Sequence, residues 1–210
     1  MKIGIIQASS QSEKNDLIYR AAIKHNKNAE IINFGCFPND KTSYSYIEIS
    51  ILAGLLLNSG SVDLIITGCS SGQGMMLALN SIPGVLCGYV PTPKDAFLFA
   101  RINNGNAVSL PLGEDYTWVG EENMEETIKT ILTEQFGSGY PESEAARKLK
   151  DTELLKKIRK ESQKTIKETF DSLDKELREK LLSKKDVIGY IEKHNRNDQI
   201  AEILYQPQAE

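Results

Sequence analysis

A cysteine at the end of an apolar run is followed at once by serines and glycines in the segment Thr67-Gly68-Cys69-Ser70-Ser71-Gly72-Gln73-Gly74. The apolar, β-branched run before it is typical of a parallel-sheet strand, and the residues after it are typical of the first turns of a buried helix. Gly72 and Gly74 permit close backbone approach, so several amides could converge on an anion at the helix N-terminus. A thiolate at Cys69 would be stabilised there and could accept a proton from a substrate that these amides hold.

The alternative interpretation of Cys69 is structural, because free cysteines are commonly small buried apolar residues. We favour the functional interpretation, since a glycine turn between strand and helix is the usual ligand crevice of open α/β sheets. The segment matches neither of two phosphate-binding fingerprints. No Gly-Lys-Ser/Thr follows, and the glycines lie in the third strand–helix unit without the acidic residue that a dinucleotide site requires.

Strand-like and helix-like segments alternate through the first two thirds of the chain. The pattern predicts strands at about 2–7, 30–34, 62–67, 84–89 and 106–110, and helices at about 14–26, 44–58, 74–81, 93–102 and 121–135. This order indicates an α/β fold in which helices cover both faces of a five-stranded parallel sheet, with right-handed crossovers.

The composition changes after the segment Gly137-Ser138-Gly139-Tyr140-Pro141. From residue 141 onward lie 16 of the 25 lysines and arginines, interleaved with 15 acidic residues, and apolar residues recur at helical spacing. We therefore predict an α/β domain at 1–140 and a helical C-terminal extension at 141–210. The apolar stripe of the extension must cover either the body of the domain or a partner subunit.

Composition argues against several classes of partner and location. The chain has 210 residues and a net charge of -4, and it shows no basic patch interleaved with aromatic residues, so no nucleic-acid partner is predicted. Neither a signal sequence nor an apolar stretch of about 20 residues is present, which predicts a cytoplasmic protein without a membrane partner. The three cysteines lack metal-ligand spacing, so no metal is predicted, and Cys36 and Cys87 are interpreted as structural.

Two motifs resemble the ribose 5-phosphate isomerase B and galactose 6-phosphate isomerase family. In that family a cysteine followed by Gly-Thr-Gly-x-Gly opens a helix that ends in Asn-Lys-x-x-Gly-Ile/Val, and the segments 69–74 and 80–85 match in register. The family motif Asn-Asp-x-Asn before a strand matches 103–106. The resemblance, over about residues 1–150, implies a Rossmann-like three-layer α/β/α fold. It also implies a cofactor-free aldose–ketose isomerase of a phosphorylated sugar.

The resemblance also implies roles for individual residues. Cys69 matches the catalytic base, which moves a proton between C1 and C2 through an enediolate, and the Ser71 hydroxyl would bond the shifting oxygens. The substrate-binding candidates are Ser9, Tyr46, Ser70, Gly72, Gln73, Gly74, Asn103 and Arg147. The family further implies a homodimer, or a dimer of dimers, with the active site near the interface.

The chain departs from the family at positions that bind substrate. Ile102 replaces the histidine that helps to open the sugar ring, and Ala8-Ser9-Ser10 replaces Asp-His near the first strand. The segment 139–148 has Glu144 in place of one phosphate-binding arginine, although Arg147, Lys148 or Arg101 could supply positive charge. The substrate could therefore be a different sugar, or a sugar whose ring is already open. A second alternative is that the chain is a non-catalytic sugar-phosphate-binding or partner subunit.

Overall fold

The computed structural model describes residues 1–205, which form one five-stranded sheet and the helices around it. The strands are β1 (Lys2–Ile5), β2 (Glu30–Asn33), β3 (Leu64–Cys69), β4 (Cys87–Tyr89) and β5 (Ala107–Pro111). All pairs are parallel, in the order β2-β1-β3-β5-β4. Strand β3 is buried at every position, as expected of a central strand that helices cover on both faces.

Five helices of the α/β part cover the two faces of this sheet. They are α1 (Asn15–His25), α2 (Tyr46–Asn58), α3 (Gln73–Ser81), α4 (Pro93–Leu98) and α5 (Glu121–Thr133). Side chains of α1, α4 and α5 pack in one apolar cluster with Leu64 and Ile66, whereas those of α2 and α3 pack with Ile65 on the other face. This separation follows from the alternation of side chains along a strand. The predicted three-layer α/β/α arrangement is confirmed.

Two element bounds differ from prediction in ways that affect the site. Strand β3 begins and ends two residues later than predicted and includes Cys69, so this residue is held in the sheet and not in a loop. The predicted helix at 93–102 divides into α4 and a π-helical turn, Phe99–Asn103, after which Asn104 adopts a φ of 46°. Asn is among the few non-glycine residues that accept this left-handed conformation readily.

The C-terminal part is helical, as its composition predicts. It consists of α6 (Ala145–Ser162), α7 (Ile166–Asp171), α8 (Lys175–Leu182), α9 (Lys185–His194) and α10 (Asp198–Leu204). Buried side chains of α7 to α10 join the cluster that α2 and α3 form, so this part of the apolar stripe covers the body of the domain, whereas Leu154, Leu155 and Ile158 of α6 are exposed. The boundary at residue 140 stays a prediction. No helix within residues 1–205 combines the length and the apolar character that crossing a membrane requires.

Candidate active site

A cavity of about 640 Å³ lies at the carboxyl ends of β1 and β3. These strands are neighbours, but the chain continues from β1 to β2 on one side and from β3 towards β5 and β4 on the other. Connections that diverge in this way leave a crevice at the carboxyl edge, where open α/β sheets bind their ligands. The position of the cavity therefore agrees with the site predicted from the glycine turn.

Cys69 lies at this cavity with its backbone bonded to the segment that follows β5. It is the last residue of β3 and 7% exposed, and its carbonyl accepts a hydrogen bond from Leu112 N at 3.0 Å. The next carbonyl, of Ser70, accepts one from Gly113 N at 2.9 Å. Because the backbone is bonded to the chain beyond β5, the thiol has a defined position in the cavity wall.

The other two cysteines differ from Cys69 in their surroundings. Burial raises the pKa of the Cys87 thiol, and it also raises the pKa of Cys36, where it outweighs a hydrogen bond with Ser9. Both groups therefore stay protonated at neutral pH, and neither lines the cavity. These surroundings agree with the interpretation of Cys36 and Cys87 as structural residues.

The turn after Cys69 requires glycine at its centre. Gly72 caps the N-terminus of α3 with a φ of 74°, and its carbonyl accepts bonds from Ser109 Oγ at 2.7 Å and Met76 N at 3.1 Å. The Ser71 hydroxyl accepts from Gln73 N at 3.3 Å. The first amides of a helix have no carbonyl partner within it, so the start of α3 offers N–H donors to an anion.

We expect Gly72→Ala to destabilise the protein by about 1–3 kcal/mol, because alanine is strained at a positive φ. A Cβ atom there would also lie 2.8 Å from Tyr89 Cε2 and 3.0 Å from the Leu110 carbonyl oxygen. Thermal or urea unfolding measures the effect. Gly189→Ala in α9 is the matched control, because a Cβ there meets nothing within 4 Å and alanine favours a helix. Equal stability of the two variants would contradict this reading of the turn.

The start of α2 forms the opposite wall of the cavity. Ser45 and Glu48 form a capping box, in which Ser45 Oγ accepts from Glu48 N and the Glu48 carboxylate accepts from Ser45 N at 2.7 Å. The box fixes Tyr46 as the first residue of the helix. Its ring packs across Gly74, since a Cβ at that glycine would lie 3.3 Å from Tyr46 Cε2. Tyr46 therefore faces the cysteine turn, and its contact with a substrate stays a prediction.

Ser9 supports the wall without lining it. Its hydroxyl accepts from Tyr44 N at 2.8 Å, and its own N–H donates to the Tyr44 carbonyl at 3.0 Å. Its neighbours Ala8 and Ser10 line the cavity, but Ser9 does not. In this structure Ser9 connects the end of β1 to the loop before α2.

The structure brings together most of the predicted site residues and separates two of them. Cys69, Ser70, Ser71, Gly74 and Tyr46 line one cavity, with Gly72 and Gln73 in the adjoining turn. Asn103 is exposed and borders a different hollow beside Tyr89 and Asp95. Arg147 lies on α6, with Nε 2.7 Å from Glu144 Oε2 and Nη1 2.8 Å from Asp151 Oδ2. Within one chain these two residues do not reach Cys69.

The cavity also contains residues that sequence reasoning missed. They include Tyr44, Glu48 and Lys180. The Ser45-x-x-Glu48 spacing is a capping signal that could have placed Glu48 near the predicted Tyr46. For Lys180, in the middle of the helical extension, no local signal exists. Within residues 1–205, no group of three or more His, Cys, Asp or Glu side chains is arranged to hold a metal ion.

One family model and several solved structures are similar to this chain. The chain matches the family model described as Ribose/Galactose Isomerase over residues 3–150. A solved 4-deoxy-L-threo-5-hexosulose-uronate ketol-isomerase complexed with a tartrate is 32% identical, with a TM-score of 0.91 over 97% of both chains. A Vibrio parahaemolyticus ribose-5-phosphate isomerase is also 32% identical, with a TM-score of 0.90 over 97% of both chains.

Other solved structures share the fold over a smaller part of the chain. The type B ribose 5-phosphate isomerase of Trypanosoma brucei is 23% identical, with a TM-score of 0.60 over 73% of this chain and 97% of its own. At that identity the likeness supports the Rossmann-like fold alone. A comparison with curated protein sequences finds no significant match. The two more similar structures align over nearly the whole chain and therefore include the helical extension.

Proposed function

Because the chain belongs to the ribose/galactose isomerase family and is an aldose–ketose isomerase, we propose that it acts on an acidic open-chain sugar with Cys69 as the base. One observation carries the proposal. Cys69 lies in the wall of a cavity at the carboxyl edge of the sheet, directly before the turn that offers the amides of α3. A base beside preorganised donors is the arrangement that a proton transfer through an enediolate requires.

In the proposed reaction the Cys69 thiolate takes the proton from C2 of the aldose. The electron pair of that C–H bond forms the C1–C2 double bond of the enediolate, and negative charge moves onto the C1 oxygen. Amide donors at the start of α3 stabilise this charge. The thiol then returns the proton to C1, while the Ser71 hydroxyl assists proton exchange between the two oxygens. The product is the ketose, and no other reactant is consumed.

The substrate that we propose is of the hexosulose-uronate type. The name of the solved ketol-isomerase describes a sugar acid that lacks a hydroxyl at C4 and carries a carbonyl at C5. Its open-chain keto form has no hydroxyl there to close a ring on C1, so no ring-opening group is needed. Such a substrate explains why Ile102 can replace the family's histidine. In this structure the backbone carbonyl of Ile102 accepts a hydrogen bond from Thr152 Oγ1 at 2.8 Å, which is a structural contact.

Within a single chain, the charges around the cavity favour a carboxylate over a phosphate. Among the residues of one chain that line it within the described range, Lys180 is the single cation, and no arginine is present. A phosphorylated sugar, the substrate that the family resemblance implies, is the second candidate. It is supported by the similarity to the ribose-5-phosphate isomerase of Vibrio parahaemolyticus.

We also propose a homodimer in the cytoplasm, as the family resemblance implies. Asn103 and Arg147 lie apart from Cys69 of the same chain, so a second copy would be needed to bring them to a shared site. On α6, the apolar residues Leu154, Leu155 and Ile158 are 55%, 40% and 54% exposed and offer a surface for subunit contact. Sedimentation or light scattering measures the oligomeric state.

The test is an isomerase assay in deuterated solvent, followed by NMR. The substrates are 4-deoxy-L-threo-5-hexosulose-uronate, ribose 5-phosphate and galactose 6-phosphate. We expect conversion of the uronate, with deuterium at C1 of the product and kcat/KM at least about tenfold higher than for either phosphate, a difference of about 1.4 kcal/mol. Preference for a phosphate would overturn the proposed substrate. Binding of all three without turnover would instead support a non-catalytic subunit.

A further inference from the structure

Lys180 connects the helical extension to the cavity around Cys69. It lies in α8 and lines the cavity together with Cys69 and Ser71. Its Nζ is 2.6 Å from Glu48 Oε1 and 5.4 Å from the centre of the Tyr44 ring. The side chain is 37% exposed, so a ligand in the cavity can reach it. The family model ends at residue 150, so Lys180 belongs to the extension, whereas its partners Glu48 and Tyr44 belong to the part of the chain that the family model covers.

Glu48 binds Lys180 but occupies only some of the N–H donors of its ammonium group. The Glu48 side chain is 12% exposed, and its second oxygen accepts from Ser45 N at 2.7 Å, which fixes the carboxylate to the start of α2. Burial acts to raise the pKa of this carboxyl, but the hydrogen bonds from Lys180 and Ser45 outweigh it and keep the pKa below its usual range. An ammonium group has three donors. Contact with one carboxylate oxygen leaves two of them for a ligand.

The other lysine beside Tyr44 is not free for the same task. Lys184 Nζ lies 5.5 Å from the centre of the Tyr44 ring, but it donates to the Phe34 carbonyl at 2.8 Å and pairs with Asp186 at 2.9 Å. Its side chain is 6% exposed. Lys180 is therefore the cation that a ligand in the described cavity can meet.

We propose that Lys180 is a substrate-binding residue that receives the carboxylate of the sugar acid, so that the helical extension supplies part of the active site and determines its specificity. Glu48 is a positioning residue, which acts through Lys180. The inference rests on the proposed function for the identity of the acid. The location of an anion site at Lys180 rests on the geometry alone.

The test measures tartrate binding by calorimetry, because tartrate is a small dicarboxylate that needs no turnover. Lys180→Gln removes the charge but keeps a donor for Glu48, and Lys180→Arg restores a cation. Lys175→Gln is the matched control on α8, where the side chain is 69% exposed and Nζ lies 3.9 Å from Glu179. We expect Lys180→Gln to weaken binding at least about tenfold, since a charged donor to the carboxylate is replaced by a neutral one and hydrogen bonds between charged groups are the stronger ones. Lys180→Arg should recover part of the loss, and Lys175→Gln should bind like the wild type.

Steady-state kinetics on the uronate completes the experiment. We expect a higher KM for Lys180→Gln with a smaller change in kcat, because the carboxylate is distant from the reacting carbons. Unchanged tartrate affinity in Lys180→Gln, or no tartrate binding by the wild type, would overturn the inference even if the uronate is converted. If Lys180→Gln loses tartrate binding but the wild type converts only sugar phosphates, the anion site at Lys180 is supported and the proposed substrate is refuted. Thermal unfolding shows whether each variant is folded. If Lys180→Gln is unstable, the tartrate affinity of Lys180→Arg relative to the wild type tests the inference.

Discussion

We expect Cys69→Ser to lower kcat/KM for the preferred sugar by about 10²- to 10⁴-fold, which is the usual contribution of a general acid or base. The serine hydroxyl is close in size to the thiol but is a much weaker acid, so it would not supply the anion that the proposed transfer of the C2 proton requires. Because Cys69 is backbone-bonded to Leu112, the fold should be retained. The measurement is kcat/KM together with deuterium incorporation at C1.

Cys87→Ser is the matched control for this prediction. Cys87 is 6% exposed on β4, away from the cavity, and its thiol contacts the Gly88 carbonyl at 3.6 Å, a bond that a hydroxyl can replace. We expect its kcat to equal that of the wild type. Tartrate binding should survive in Cys69→Ser, which would separate lost chemistry from lost binding. Full activity of Cys69→Ser would refute the proposed base, and equal losses in both variants would point to a structural cause.

The part of the site that could be predicted is the part contained in one short segment. Residues 69–74 carry the thiol, the hydroxyls and the glycine turn, and their order in the chain already places them between a strand and a helix. The φ of 74° at Gly72 is the conformation that a glycine in such a turn indicates. Tyr46 was predicted through the family resemblance, and the capping box of Ser45 and Glu48 places it at the start of α2 beside the cysteine turn.

The remainder depends on contacts between distant segments, for which local patterns give no signal. Lys180 and Glu48 meet only because α8 packs on α2, and the mixed charges around Lys180 resemble any solvated helix face. The placement of β5 between β3 and β4 is likewise decided by long-range pairing. Asn103 and Arg147 were predicted through resemblance, and one chain does not contain the contacts that would place them at a site.

We expect the extension to contribute to the stability of the whole domain, so that Phe170→Ala lowers the free energy of unfolding by about 3–5 kcal/mol. Phe170 is 2% exposed and lies in the same apolar cluster as Leu52 and Leu55 of α2. Removing its ring leaves a cavity between α7 and the body of the domain, and packed cores relax only partly to fill such a space. Urea unfolding followed by circular dichroism measures the change.

Tyr205→Ala is the matched control, because it also replaces an aromatic residue of the extension but at a position that is 67% exposed. We expect it to change stability by no more than about 0.5 kcal/mol, as is usual for surface substitutions. A separate early transition for the extension, or a loss below about 1 kcal/mol in Phe170→Ala, would show that the extension is not part of the main core. If the core is shared, loosening α7 also disturbs the packing that carries Lys180 to Glu48. Phe170→Ala should then raise KM for the acidic sugar at temperatures where it is still folded, whereas Tyr205→Ala should not.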